Sequence, residues 1–178
     1  MENQFEFQPE KALGVTAYLA DRTGESMYTI LKMIYLVDRF HLERYGRPVT
    51  GDQFYAMQQG ACPSKIYDSM KFLRGEKGKD NYLPDSEKYL SVDAETHDVS
   101  VVDMPSLDVL SETDIECIDA AISILKRRGR WVVRDLAHDS AWENTPRNGE
   151  IDLMTIVKSL DDGDVITRHF ENRFPGNP

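Results

Sequence analysis

Apolar positions recur at helical spacing along most of the chain. Ala12, Leu13, Val15, Ala17, Tyr18 and Leu19 carry a helix that starts at Pro9 and ends near Asp21, with Gly24 as its breaker. Met27, Ile30, Leu31, Ile34, Val37 and Leu42 form the strongest stripe, and Met33, Tyr35, Leu36 and Phe40 widen it. A helix apolar over so much of its circumference belongs at the centre of its domain. Ser26 is its expected N-cap, and Tyr45-Gly46-Arg47-Pro48 its stop: a glycine at C′, then a proline that cannot continue it.

Beyond Pro48 the pattern changes. Gln53–Gln58 alternates weakly and predicts a short strand, with Gly60 as punctuation. From Pro63 or Ser64 a third helix runs through Ile66, Tyr67, Met70 and Leu73, and Gly75–Asn81 is a polar loop. Tyr89–Asp93 and Val99–Asp103 flank a polar turn and predict a β-hairpin. Ser111 caps the next helix, with Glu112 and Asp114 in its first turn, and Lys126, Arg127 and Arg128 in its last, ahead of Gly129. A short helix at Val132–His138, a turn of helix at Ala141–Asn144, a stop at Pro146, an amphipathic helix at Ile151–Leu160 and a last one at Val165–Phe174 complete the pattern. The expectation is an α+β fold, predominantly helical. It is a compact single domain over residues 1–178, with about six helices and a small β-hairpin or short antiparallel sheet.

Composition narrows the function. The chain has 178 residues, a net charge of −10 and seventeen aromatic side chains. Its longest unbroken apolar run is shorter than six residues, so no segment is expected to span a membrane. Net −10 disfavours binding to nucleic acid or an anionic membrane by charge attraction, and points toward neutral or basic protein partners. Met1–Glu6 has neither a basic start nor an apolar stretch, and Cys62 and Cys117 form no disulfide framework. A cytoplasmic protein with reduced thiols is the expectation.

The candidate chemistry is thin. His41-Leu42-Glu43 matches half of a zinc deaminase signature, but the Pro-Cys-x-x-Cys half is missing, and His41 reads as a helix-surface histidine. Asp161-Asp162-Gly163-Asp164 lacks the ligand spacing of a calcium loop. His138-Asp139-Ser140 holds three catalytic residue types, but adjacent residues cannot chain nucleophile, base and orienter together. His138 is instead expected to anchor a turn while a buried Trp142 plugs the core. General-base use of His138 in a small hydrolase is the rival from another class. Gly60–Tyr67 delivers a helix N-terminus able to receive an anion, and Cys62 beside it could have a lowered pKa. No catalytic, metal or cofactor site is therefore assigned.

Three blocks carry a resemblance. They are Thr29–Phe54, with Lys32, Tyr35, Asp38, Leu42 and the Gly46-Arg47-Pro48 exit; Gly60–Lys71, with Gly60, Pro63 and Tyr67; and Asp135–Trp142, with His138 and Trp142. Their order and spacing, over about residues 10–145, resemble the Panacea domain, the SocA-like antitoxin family. One departure is local: Ala61 and Cys62 separate Gly60 from Pro63, where the family usually has Gly-Pro. The resemblance implies an antitoxin of a type II toxin–antitoxin pair. It would neutralise a growth- or translation-inhibiting protein toxin, encoded by the adjacent gene, through direct binding. An alternative implied by the founding type is a proteolytic adaptor that hands its toxin to a ClpXP-type AAA+ protease; a phage-encoded host-modulating protein is another. Some members carry a fused DNA-binding domain, for which this chain has no spare length, so direct nucleic-acid binding is not expected. The signature residues are expected to be structural or partner-binding. The C-terminal helices, 151–174, are expected to pack on that core.

Overall fold

The computed structural model describes residues 5–173. Helix α1 (Pro9–Thr23) leads into α2 (Met27–Tyr45), the hub of the fold. Thirteen of the nineteen α2 residues are buried, as its wide apolar surface requires. It packs against α1, β2 (Gly60–Pro63), α3 (Ser64–Leu73), α5 (Glu112–Arg128), α6 (Arg130–Leu136) and α8 (Leu153–Lys158). Gly46 ends α2 in the left-handed region, φ 68°, its N–H bonded to the Leu42 carbonyl. Proline at N1 of α1 and the full capping box of α5 also match the sequence signals.

Two small antiparallel sheets decorate the helices. The first has the order β2-β1-β5, with β1 at Phe54–Met57 and β5 at Glu150–Ile151. The second pairs β3 (Leu90–Val92) with β4 (Val99–Val101), which is the predicted hairpin. Its turn is tied by Asp93, whose carboxylate accepts the N–H groups of Glu95 and Thr96 at 2.8 and 2.7 Å. Helices α4 (Ser86–Tyr89), α7 (Ser140–Glu143) and α9 (Gly163–Arg173) complete the described residues. The result is an α+β fold, predominantly helical, around one cluster of buried apolar side chains.

Several local expectations are corrected. Ser26 sits at the N-cap of α2, but its side chain caps nothing. The chain there is held instead by a backbone bridge between Ser26 and Asp98 and by the Met27 N–H on the His97 carbonyl, 2.8 Å. Gly60 does not merely punctuate a strand; it opens β2, which pairs with β1 across Gln58-Gln59. All four β2 residues are buried, so no polar–apolar alternation marks them as a strand. Glu150-Ile151 is a strand rather than the start of a helix, and α8 begins only at Leu153 behind the Asp152 cap. The last helix starts at Gly163, inside the expected acidic loop; Phe174, its expected end, lies outside the described residues.

Candidate functional site

The signature residues gather at two polar junctions and one groove. The first junction closes the exit of α2. Asp38, fully buried, accepts the N–H groups of Val49 and Thr50 at 2.9 and 2.8 Å and the Thr50 hydroxyl at 2.6 Å. These bonds fold the Gly46–Thr50 exit back along the helix that precedes it. Burial pushes the Asp38 carboxyl up to about 6 even against those bonds. Asp52 repeats the device one step on. It accepts the N–H groups of Gln53, Lys65 and Ile66 at 2.8, 3.1 and 2.9 Å, and burial likewise raises it to about 6. The α3 N-terminus, read from sequence as an anion receptor, is therefore already occupied by the chain's own carboxylate.

Arg47 continues this junction toward α5. Its guanidinium lies 3.0 Å from Asp114, which also takes Lys11 at 2.6 Å and the Ser111 N–H at 2.9 Å. Burial opposes the charge of Asp114, but Lys11, Ser111 and Arg47 outweigh it and hold the carboxyl below its usual range. His41 is not on the surface, as expected, but fully buried. Its Nδ1 donates to the Arg47 carbonyl at 2.8 Å, and its Nε2 lies 3.0 Å from the Thr113 hydroxyl and 3.1 Å from Asp114. Burial keeps the imidazole below its ordinary pKa, and its two ring nitrogens tie α2 to the Arg47 carbonyl on one side and to α5 on the other.

The second junction joins α2, the β1–β2 turn and α7. Asp139 caps α7 through the Trp142 N–H at 3.1 Å. Its other oxygen accepts the Tyr35 hydroxyl at 2.7 Å and lies 3.3 Å from the Arg39 guanidinium. His138 donates from Nδ1 to the Arg134 carbonyl at 2.7 Å and meets Trp142 edge-on at 4.4 Å. The aspartate and the imidazole thus face different partners, and no triad forms among His138, Asp139 and Ser140. Trp142 is half-buried rather than a full core plug, its indole N–H donating to the Met57 carbonyl at 2.8 Å. Gly60 has φ 106°, and a Cβ there would stand 3.0 Å from the Ala137 carbonyl and 3.1 Å from the His138 ring. Only glycine allows the turn to approach α6 this closely.

Cys62 is buried and burial pushes its thiol up to about 12; Cys117 rises to about 11 for the same reason. A raised thiol is the reverse of the lowered pKa considered from sequence, and it makes a poor nucleophile. Tyr67 is half-buried with the Lys71 ammonium 4.1 Å from its ring centre. Pro63 closes β2 immediately before α3, and Pro48 takes an N–H from Arg47 at 3.2 Å.

The groove lies where α2 starts, between α2 and α6. It measures about 460 Å³ and is lined by Tyr28, Lys32, Gln59, Arg130, Trp131 and Arg134, among others. Lys32 is only 6% exposed, whereas Trp131 is 66% and Tyr28 42% exposed. Arg134 stacks over Trp131 at 5.0 Å. Tyr28 meets His97 of the hairpin turn edge-on at 5.4 Å, so the groove borders the hairpin. Of these lining residues, sequence reading singled out only Lys32.

The hairpin and its flanks hold most of the charge. Residues 85–112 contain eight carboxylates, all exposed, against one lysine, which is seven of the chain's ten net negative charges. Exposed apolar side chains, Val102, Met104 and Val109, are interspersed with them. No helix among the described residues is long and apolar enough to cross a membrane. A family model described as antitoxin SocA-like, Panacea domain, matches residues 30–143. No curated protein and no solved structure matches the chain.

Proposed function

The chain belongs to the antitoxin SocA-like, Panacea-domain family, and from that premise we propose that it neutralises a growth- or translation-inhibiting protein toxin by direct binding in the cytoplasm. The observation that carries the proposal is that residues 85–112 hold eight exposed carboxylates with the exposed Val102, Met104 and Val109 among them, a stretch we take to form one acidic face. A face that mixes one sign of charge with exposed apolar side chains suits a basic protein: charge brings the partner in and apolar contact holds it. Neutralisation here needs binding and no catalysis. Tyr35, Asp38, Gly46, Arg47, Pro48, Gly60, Pro63, His138 and Trp142 hold the scaffold that presents this face, and Lys32 and Tyr67 belong to the side where α2 begins.

The test is co-expression with the product of the adjacent gene. That product should arrest growth alone, and this chain should restore growth and co-purify with it. The triple variant Glu87→Lys, Glu95→Lys, Asp108→Lys, together with Met104→Asp, should abolish rescue and co-purification while leaving the melting temperature close to that of the parent. A harmless neighbouring product that does not co-purify overturns the toxin reading. Full rescue by the charge-reversed variant overturns the assignment of the face.

A further inference from the structure

The groove between α2 and α6 has a composition opposite to the rest of the molecule. Three cations line it, Lys32, Arg130 and Arg134, and no carboxylate does, in a chain of net charge −10. The two arginines are partly answered from outside the groove. Arg130 has Glu25 at 3.6 Å, and Arg134 has Asp135 at 2.8 Å. Lys32 has no such answer. It is 6% exposed and makes no hydrogen bond or ion pair with any described residue. Long charged side chains are almost never this buried unless paired. Burial of its stem pushes the ammonium below the ordinary lysine range, while the nitrogen itself is not among the fully buried unpartnered atoms and so opens into the groove.

The walls add a second requirement. Trp131 is 66% exposed, an unusual position for an indole, and it carries the Arg134 guanidinium on its face. Tyr28 lies on the same rim, 42% exposed and held edge-on against His97. An indole, a phenol and a stacked guanidinium give flat surfaces to a flat ligand, while arginine forks and an unpaired ammonium suit phosphate. A volume of about 460 Å³ is that of a small-molecule pocket.

We propose that this groove binds a small aromatic phosphate of the nucleoside monophosphate class, its phosphate drawn to Lys32 and the two arginines and its ring laid against Trp131 and Tyr28. The proposal does not depend on the acidic face or on its partner. Binding gives Lys32 the counter-charge the fold withholds.

Isothermal titration calorimetry on the full chain tests it, with AMP as the probe, adenosine as the ring without charge, and inorganic phosphate as the charge without ring. AMP should bind with a dissociation constant below about 1 mM, with adenosine and phosphate each weaker by about tenfold or more, since a charge-assisted contact is worth at least that factor. Lys32→Met should weaken AMP by about tenfold or more without lowering the melting temperature, because it keeps the buried stem and removes only an unpaired charge. Trp131→Ala, at an exposed position, and Arg134→Gln, at a half-buried one, should weaken AMP severalfold and decide the matter if Lys32→Met fails to fold. The proposal is overturned by any of three results: no AMP binding at about 1 mM, phosphate binding as well as AMP, or AMP affinity unchanged in Lys32→Met or, should that variant not fold, in both of the others.

Discussion

Asp114→Ala should be the most damaging single polar substitution at the α2–α5 seam. The carboxylate is fully buried and takes Lys11 at 2.6 Å, Arg47 at 3.0 Å and the Ser111 N–H at 2.9 Å. Removing it deletes the returning arm of the α5 capping box, worth about 1 kcal/mol. It also breaks a buried ion pair, a loss of about 3–5 kcal/mol when the partner stays buried. Lys11 and Arg47 retain 22% and 37% side-chain exposure, so both can turn partly to water and the lower end applies. We expect a total loss of about 4 kcal/mol, or roughly 8–16 °C in melting temperature for a chain of this size. Urea unfolding followed by far-UV circular dichroism measures it. Acid provides a second axis. Because the folded carboxyl is held below its unfolded value, its stabilisation is complete above that unfolded value and is lost as pH falls through the folded one. The gap between parent and Asp114→Ala should therefore be full at pH 6 and shrink below about pH 4. A loss under about 1 kcal/mol at pH 6, or a gap that stays constant into acid, would refute the ion-pair account.

Three further outcomes follow from the same geometry. Tyr35→Phe keeps the buried ring and removes only the 2.7 Å bond to Asp139, so denaturant melts should show a loss of about 1.5–3 kcal/mol; no change would mean that Arg39 alone satisfies Asp139. Gly60→Ala should cost about 1–3 kcal/mol from its φ of 106° and the 3.0 Å approach to Ala137, visible as a lowered melting temperature, whereas a neutral result would show that the β1–β2 turn can shift. Asp38 and Asp52 should titrate near 6 in carbon-detected NMR of the carboxyl groups. Since both folded values are raised, their joint contribution to stability should fall as pH rises from about 4 to 6, and midpoints below 4 for both would refute the dominance of burial.

What could be read from the sequence depended on where the signal was local. The extent of α2, its glycine stop and the α5 capping box follow from residues within a few positions of one another, and all are present. β2 is invisible for the opposite reason: Gly60, Ala61, Cys62 and Pro63 are all buried, and their strand character comes from Phe54–Met57 and from the Ala137 carbonyl that accepts the Ala61 N–H. The scaffold tyrosine, histidine and tryptophan stood out in sequence, but the residue that joins Tyr35 to Trp142, Asp139, was noticed only as part of an apparent triad. In sequence Asp114 is only a first-turn acid, although its main partners, Lys11 and Arg47, come from a distant helix and a distant loop. The groove was hidden because its lining is split between residues 26–32, Gln59 and residues 130–134. Only the fold sets Lys32 beside Trp131.

The two-residue strand β5 has a consequence larger than its length. The family match stops at residue 143, yet Glu150 and Ile151 pair with Tyr55 and Phe54 on the outer side of β1, and α8 then packs against α2. Cutting the chain after the matched region would leave β1 as an open edge and strip the cover supplied by the buried Met154, Ile156 and Val157. A piece that keeps β1 paired on both sides and α2 covered thus extends at least to Leu160, and a truncation designed on the family boundary should melt lower than the full chain.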